Sequence, residues 1–103
     1  MSEIPKRFTK FMEDHPRIGA AYRDLGTSAS EGPLDAKTRA LVKLGMSIGA
    51  GMEGAAHSHT RKALAAGATP EEIRHAAVQA VTTLGFPTMM TGLSWVEDVL
   101  EDT

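Results

Sequence analysis

The chain contains no cysteine among its 103 residues. That absence excludes disulfides, thiolate nucleophiles, thiol peroxidase cycles and cysteine-ligated zinc together. Aromatics are scarce, with one tryptophan, one tyrosine and three phenylalanines, too few and too scattered to build base-stacking platforms for RNA. Charge of either sign is not concentrated: the net charge is −2, and no basic face stands out for nucleic acid. Long hydrophobic runs are missing as well. No segment approaches the roughly 20 apolar residues of a membrane span, and the opening "MSEIPKRFTKFMED" lacks the continuous apolar core of a signal peptide. These features lead us to expect a protein of the cytoplasm with no nucleic-acid or membrane partner. A chain of this length fits one domain over residues 1–103. Its core is modest, so assembly with further copies is a natural source of stability.

Strand signals are poor, whereas helical spacing recurs along the chain. Ile4, Phe8, Phe11 and Met12 share one helical face, limited by Pro16. Ile18, Ala21, Tyr22 and Leu25 continue it in a second segment expected to close at Gly26, and "TSASEGP" from Thr27 to Pro33 reads as a loop. Asp35 is a candidate N-cap for "AKTRALVKLGMSIGAG". There Leu41, Leu44 and Ile48 form one stripe while Val42 and Met46 lie on another, the pattern of a helix covered on more than one side. Gly45, Gly49 and Gly51 admit a closely packed helix, or Gly49 and Gly51 simply end this one. Residues 53–66 read as a short helix stopped by Gly67, and "TPEE" (Thr69 to Glu72) joins an N-cap threonine, a first-turn proline and a glutamate three residues after the cap. A last helix holds Met90, Leu93, Trp95, Val96 and Leu100. The expectation is an all-α domain of about five or six helices.

Within this frame, "HSH" (His57 to His59) raises the question of chemistry. Two positions apart on a helix point roughly 200° apart, so the pair does not grip one metal ion without a second subunit; no metal is expected. His57 has Glu53 one turn before it and Arg61 one turn after. The plain reading is a surface charge ladder; the functional one is that Glu53 orients His57 as an acid/base group. The helical neighbours of His59 are Ala55, Ala56, Lys62 and Ala63, and these small residues leave room for a ligand or for another helix.

The stretch "HTRKALAAGATPEEIRHAAVQA", with "KTRALVKLGMSIGAG" before it and "TLGFPTMM" after it, resembles the carboxymuconolactone decarboxylase and alkylhydroperoxidase D-like superfamily. The likeness extends from about Pro33 to Trp95 and implies an alkylhydroperoxidase D-like helical fold assembled into dimers, trimers or hexamers. The peroxidase branch carries a C-x-x-C pair four residues before the family histidine and a glutamate further upstream. Aligning His59 with that histidine places Met52 and Ala55 at the cysteine positions and Ala40 at the glutamate. The redox half is absent, and a methionine thioether has no thiolate form to replace it. Peroxidase activity is therefore not expected unless a partner supplies thiols. The decarboxylase branch keeps a histidine followed by x-Arg, matched by His59 and Arg61. The resemblance implies cofactor-free chemistry in which His59 moves a proton and Arg61 or Lys62 holds a carboxylated small molecule; Lys62, one turn on, shares the face of His59. The alternative is a homo-oligomer that has lost catalysis and retains assembly or ligand binding.

Overall fold

The computed structural model describes residues 4–101, and among them the structure is helical with no strand. The helices are α1 (Lys6–Asp14), α2 (Pro16–Ser30), α3 (Ala36–Gly49), α4 (Glu53–Ala65), α5 (Pro70–Val78), α6 (Ala80–Thr83) and α7 (Phe86–Leu100). The all-α expectation of five or six helices is met by six of nine residues or more, with α6 a single added turn after Gln79. They form two compact units, one ending at Leu34 and the other beginning at Asp35.

In the first unit, α1 and α2 are joined at His15, whose N–H bonds to Phe11 O before Pro16 starts the next helix. Met12 is the buried residue of α1, and Gly19 of α2 lies against it, with room for a Cβ at only 3.4 Å. Phe8 and Tyr22 meet edge to face at 6.2 Å. The expected stop at Gly26 and the loop from Thr27 are corrected here: α2 runs on to Ser30. Gly26 keeps an ordinary helical backbone, and a glycine inside a helix costs only about 1 kcal/mol. The Ser30 hydroxyl donates to Thr27 O at 2.8 Å, and the chain turns extended at Glu31, ahead of Gly32 and Pro33.

The second unit starts with the Asp35 cap, whose carboxylate accepts the Thr38 N–H at 2.8 Å. Leu44 and Ile48 of α3, Ala56 and Ala63 of α4, Ile73 and Ala77 of α5, and Val96 of α7 make the centre of the core. Leu41, Leu93 and Trp95 pack at its edge. Two buried hydroxyls interrupt this apolar set, and each is satisfied by its own helix: Ser47 bonds to Lys43 O and Thr60 to Ala56 O, both at 2.8 Å.

The glycines divide the work differently from either sequence expectation. Gly51 adopts φ +70° and ends α3, whereas Gly45 faces open space and Gly49 has only ordinary contact with Leu84. The close helix approach is made instead by Gly92 of α7, where a Cβ would stand 2.5 Å from Ile48 Cγ2. Val42 and Met46, expected to be covered, are 41% and 66% exposed. Val42 and Met46, one turn apart, thus form an exposed apolar pair on the outer side of α3.

The α5 start matches its sequence in full. Thr69 accepts the Glu72 N–H at 3.1 Å, and the Glu72 carboxylate accepts the Thr69 N–H at 2.9 Å. This reciprocal cap satisfies two otherwise orphaned donors. Lys37 of α3 reaches the same Glu72 at 3.1 Å, tying the start of α5 to α3.

Candidate functional site

Helix α4 begins directly after Met52 and carries both histidines of interest. Ala56, Thr60 and Ala63 form its fully buried stripe. Positions 57 and 59 flank that stripe on either side, so the two rings leave the helix toward different neighbours. Each histidine is half-buried.

The ring of His59 is the less satisfied of the two. Its Nδ1 is buried and has no hydrogen-bond partner among the described residues. Burial holds the pKa of the ring below the ordinary histidine range, and the positive charges of Lys62 and then Lys43 lower it further. All three causes oppose a second proton, so the ring is neutral at pH 7. Lys62 lies one turn on in α4, the same-face position read from the sequence. Lys43 comes from α3 and was not anticipated, because nothing in linear spacing pairs residues 43 and 59. A neutral imidazole with an unused ring nitrogen beside two ammonium groups can exchange a proton with a molecule that the cations hold by its negative charge.

His57 faces α7. Its Nε2 lies 3.0 Å from Asp98 Oδ2 and 3.9 Å from Glu53 Oε2. The structure therefore brings together Glu53 and His57, as their spacing of four suggested, and adds Asp98, which is 41 positions away and was missed. It does not join this group to His59: the two candidate histidines stand in separate groups, as positions about 200° apart on one helix imply. Arg61 has no ion pair among the described residues, and neither Arg61 nor His57 is among the groups that act on the His59 ring.

The three positions aligned with the redox residues are dispersed over two helices. Ala40 is buried in α3, Met52 stands exposed at the start of α4, and Ala55 is half-buried in its first turn. None carries a group able to take part in thiol chemistry.

With this geometry in place, comparison with known proteins gives the chain a family. The model of the carboxymuconolactone decarboxylase family matches residues 16–98. An uncharacterized protein of Haemophilus influenzae (strain ATCC 51907 / DSM 11121 / KW20 / Rd) is 35% identical over 63 residues, covering 60% of this chain and 56% of that protein. The chain thus spans little more than half the length of that relative. No solved structure matches. On its sequence match and its all-helical structure, the chain belongs to the carboxymuconolactone decarboxylase family, as a member without the C-x-x-C pair.

Proposed function

We propose that the chain is a small-molecule enzyme of the carboxymuconolactone decarboxylase type, with His59 as its proton-transfer group and a carboxylated substrate held by Lys62 and Lys43. The observation that carries this reading is the unpaired, buried Nδ1 of His59 on a ring kept neutral by burial and by those two lysines. A buried polar atom without a partner costs free energy, and a ligand that supplies the partner recovers it. In the decarboxylation step the bond to the carboxyl carbon breaks, carbon dioxide leaves, and the electron pair remains on the substrate as an enolate. An ammonium group stabilises that charge. The imidazole, protonated from solvent, donates that proton to the enolate carbon and is left neutral, and the lowered pKa makes the protonated ring a stronger acid than free imidazolium. This proton transfer needs no cofactor, and Arg61 falls outside it.

The test is a proton NMR titration of the histidine rings with and without small mono- and dicarboxylates. His59 should titrate below the ordinary midpoint of about 6.5 and shift upward when a carboxylate binds. Titration like free imidazole, with no response to carboxylates, would overturn the proposal. A panel of lactone-type and β-keto carboxylic acids assayed for carbon dioxide release then identifies a substrate, with His59→Gln as the control.

A second reading rests on a different observation, the exposed Val42 and Met46 on the outer side of α3. In it the chain is a homo-oligomer, with a second copy covering that side. Contiguous exposed apolar side chains of this kind favour burial against another subunit. Assembly is compatible with catalysis at His59. It stands alone as the function if carboxylates leave His59 untouched while the protein sediments as an oligomer.

A further inference from the structure

We propose that Glu53, His57 and Asp98 form a binding site for a divalent first-row transition metal ion, Zn²⁺ fitting best, which clamps the start of α4 to the end of α7. The proposal goes beyond the His59 reading and does not depend on it. His57 Nε2, one carboxylate oxygen of Glu53 and one of Asp98 all lie within 4.8 Å of one another. Ligands held about 2.0–2.2 Å from a tetrahedral Zn²⁺ stand roughly 3.3–3.6 Å apart. The two distances measured at His57 Nε2, 3.0 Å to Asp98 and 3.9 Å to Glu53, bracket that spacing. Glu53 is 59% exposed and has the side-chain freedom to close the gap.

Donor type and charge agree with the geometry. One imidazole nitrogen and two carboxylate oxygens are a borderline set suited to Zn²⁺, with a fourth position open to water. The two carboxylates carry two negative charges, and among the described residues no lysine or arginine forms an ion pair with either. A divalent cation neutralises them. The scaffold is also firm: α4 buries Ala56 and Thr60 and α7 buries Val96, Val99 and Leu100, so the ligands stand on packed helices rather than on loops. For Nε2 to bind metal, the ring proton must reside on Nδ1, and the present contact between His57 and Asp98 is replaced by a shared ion.

The experiment is a titration of the full chain with Co²⁺, followed by its visible absorption, and with Zn²⁺ as the displacing ion. One equivalent of Co²⁺ per chain should give intense d–d bands of low-coordinate geometry, which Zn²⁺ abolishes. His57→Gln and Asp98→Asn should each weaken binding about 100-fold or more, since they remove a direct ligand. Glu53→Gln should weaken it at least about tenfold, whereas His59→Gln and His75→Gln should leave it unchanged. If His57→Gln fails to fold, as judged by far-ultraviolet circular dichroism, Asp98→Asn decides alone, because the amide keeps a hydrogen bond to His57. The proposal is overturned if no such bands form at millimolar Co²⁺, if binding survives the substitutions at 57 and 98, or if it is lost with His59 or His75. In those cases the group is a hydrogen-bonded histidine between two carboxylates.

Discussion

Gly92 of α7 lies so close to Ile48 of α3 that an added Cβ would stand 2.5 Å from Ile48 Cγ2 and 2.9 Å from its Cγ1 and Cδ1. Ile48 is 1% exposed, at the centre of the core, so its side chain has nowhere to withdraw. Gly92→Ala should therefore destabilise the chain by about 1–3 kcal/mol through overpacking, outweighing the gain in helix propensity of alanine over glycine. Urea denaturation checks this as a lower midpoint at unchanged slope. Gly45→Ala, where a Cβ meets nothing within 4 Å, should shift the midpoint upward instead. The pair of variants separates close packing from helix propensity.

The reciprocal cap at Thr69 and Glu72 gives a second prediction. Thr69→Ala removes the acceptor for the Glu72 N–H and should cost about 1 kcal/mol. The Glu72 carboxyl is held below its ordinary range by the Thr69 N–H, then by Lys37. Glu97 is held down by Arg74, and Asp35 by the Thr38 N–H. A carboxyl whose folded pKa is depressed stabilises the fold fully above its unfolded value and loses that contribution as pH falls through the folded one. Melting temperature should thus be insensitive to these groups above about pH 5 and decline below about pH 4. Glu72→Gln should reduce the steepness of that decline.

These two sites also show what linear sequence makes legible. The caps at Asp35 and Thr69 were readable because each is a contact across three residues, set by backbone geometry that its own segment determines. The stripe of Leu41, Leu44 and Ile48 was readable for the same reason. Gly26 misled because glycine tolerates a helix as well as it ends one, and the neighbouring serines and threonines supplied no stronger stop. The glycine that does admit a helix, Gly92, looked no different in sequence from Gly45, since its role depends on Ile48, 44 positions away. The same limit governs the site. His59 with Lys62 and His57 with Glu53 are one-turn pairs and were found, whereas Lys43 and Asp98 arrive from other helices and leave no trace in spacing. The exposure of Val42 and Met46 could not be told from burial, because an apolar stripe is written alike for a core and for an interface.

That last ambiguity yields a prediction on assembly. If the outer side of α3 meets a second copy, Met46→Glu should shift the sedimenting species toward the single chain. Met46 is 66% exposed within the chain, so the helical spectrum of the variant should match the parent. An unchanged mass distribution would place any interface elsewhere.

The depressed pKa of His59 links the proposed chemistry to stability. In the unfolded chain this ring titrates near 6.5, and burial followed by Lys62 and Lys43 lowers it in the folded state. Between the two values the unfolded chain holds more protons, so stability rises with pH across that window. Read downward, the contribution is intact above about 6.5 and is lost as pH falls through the lowered folded value. His59→Asn should flatten this part of the melting profile while leaving the decline below about pH 4 in place. Because the substitution changes a ring whose buried Nδ1 is already unpaired, its cost at pH 7.5 should stay within about 1 kcal/mol, the scale of an ordinary hydrogen bond. Lys43→Met removes one of the charges that oppose protonation, so the His59 midpoint should move up toward 6.5, as NMR would record. Because the protonated ring is the acid of the proposed reaction, the basic limb of kcat/KM should move up with it, and no change in either midpoint would separate Lys43 from the site.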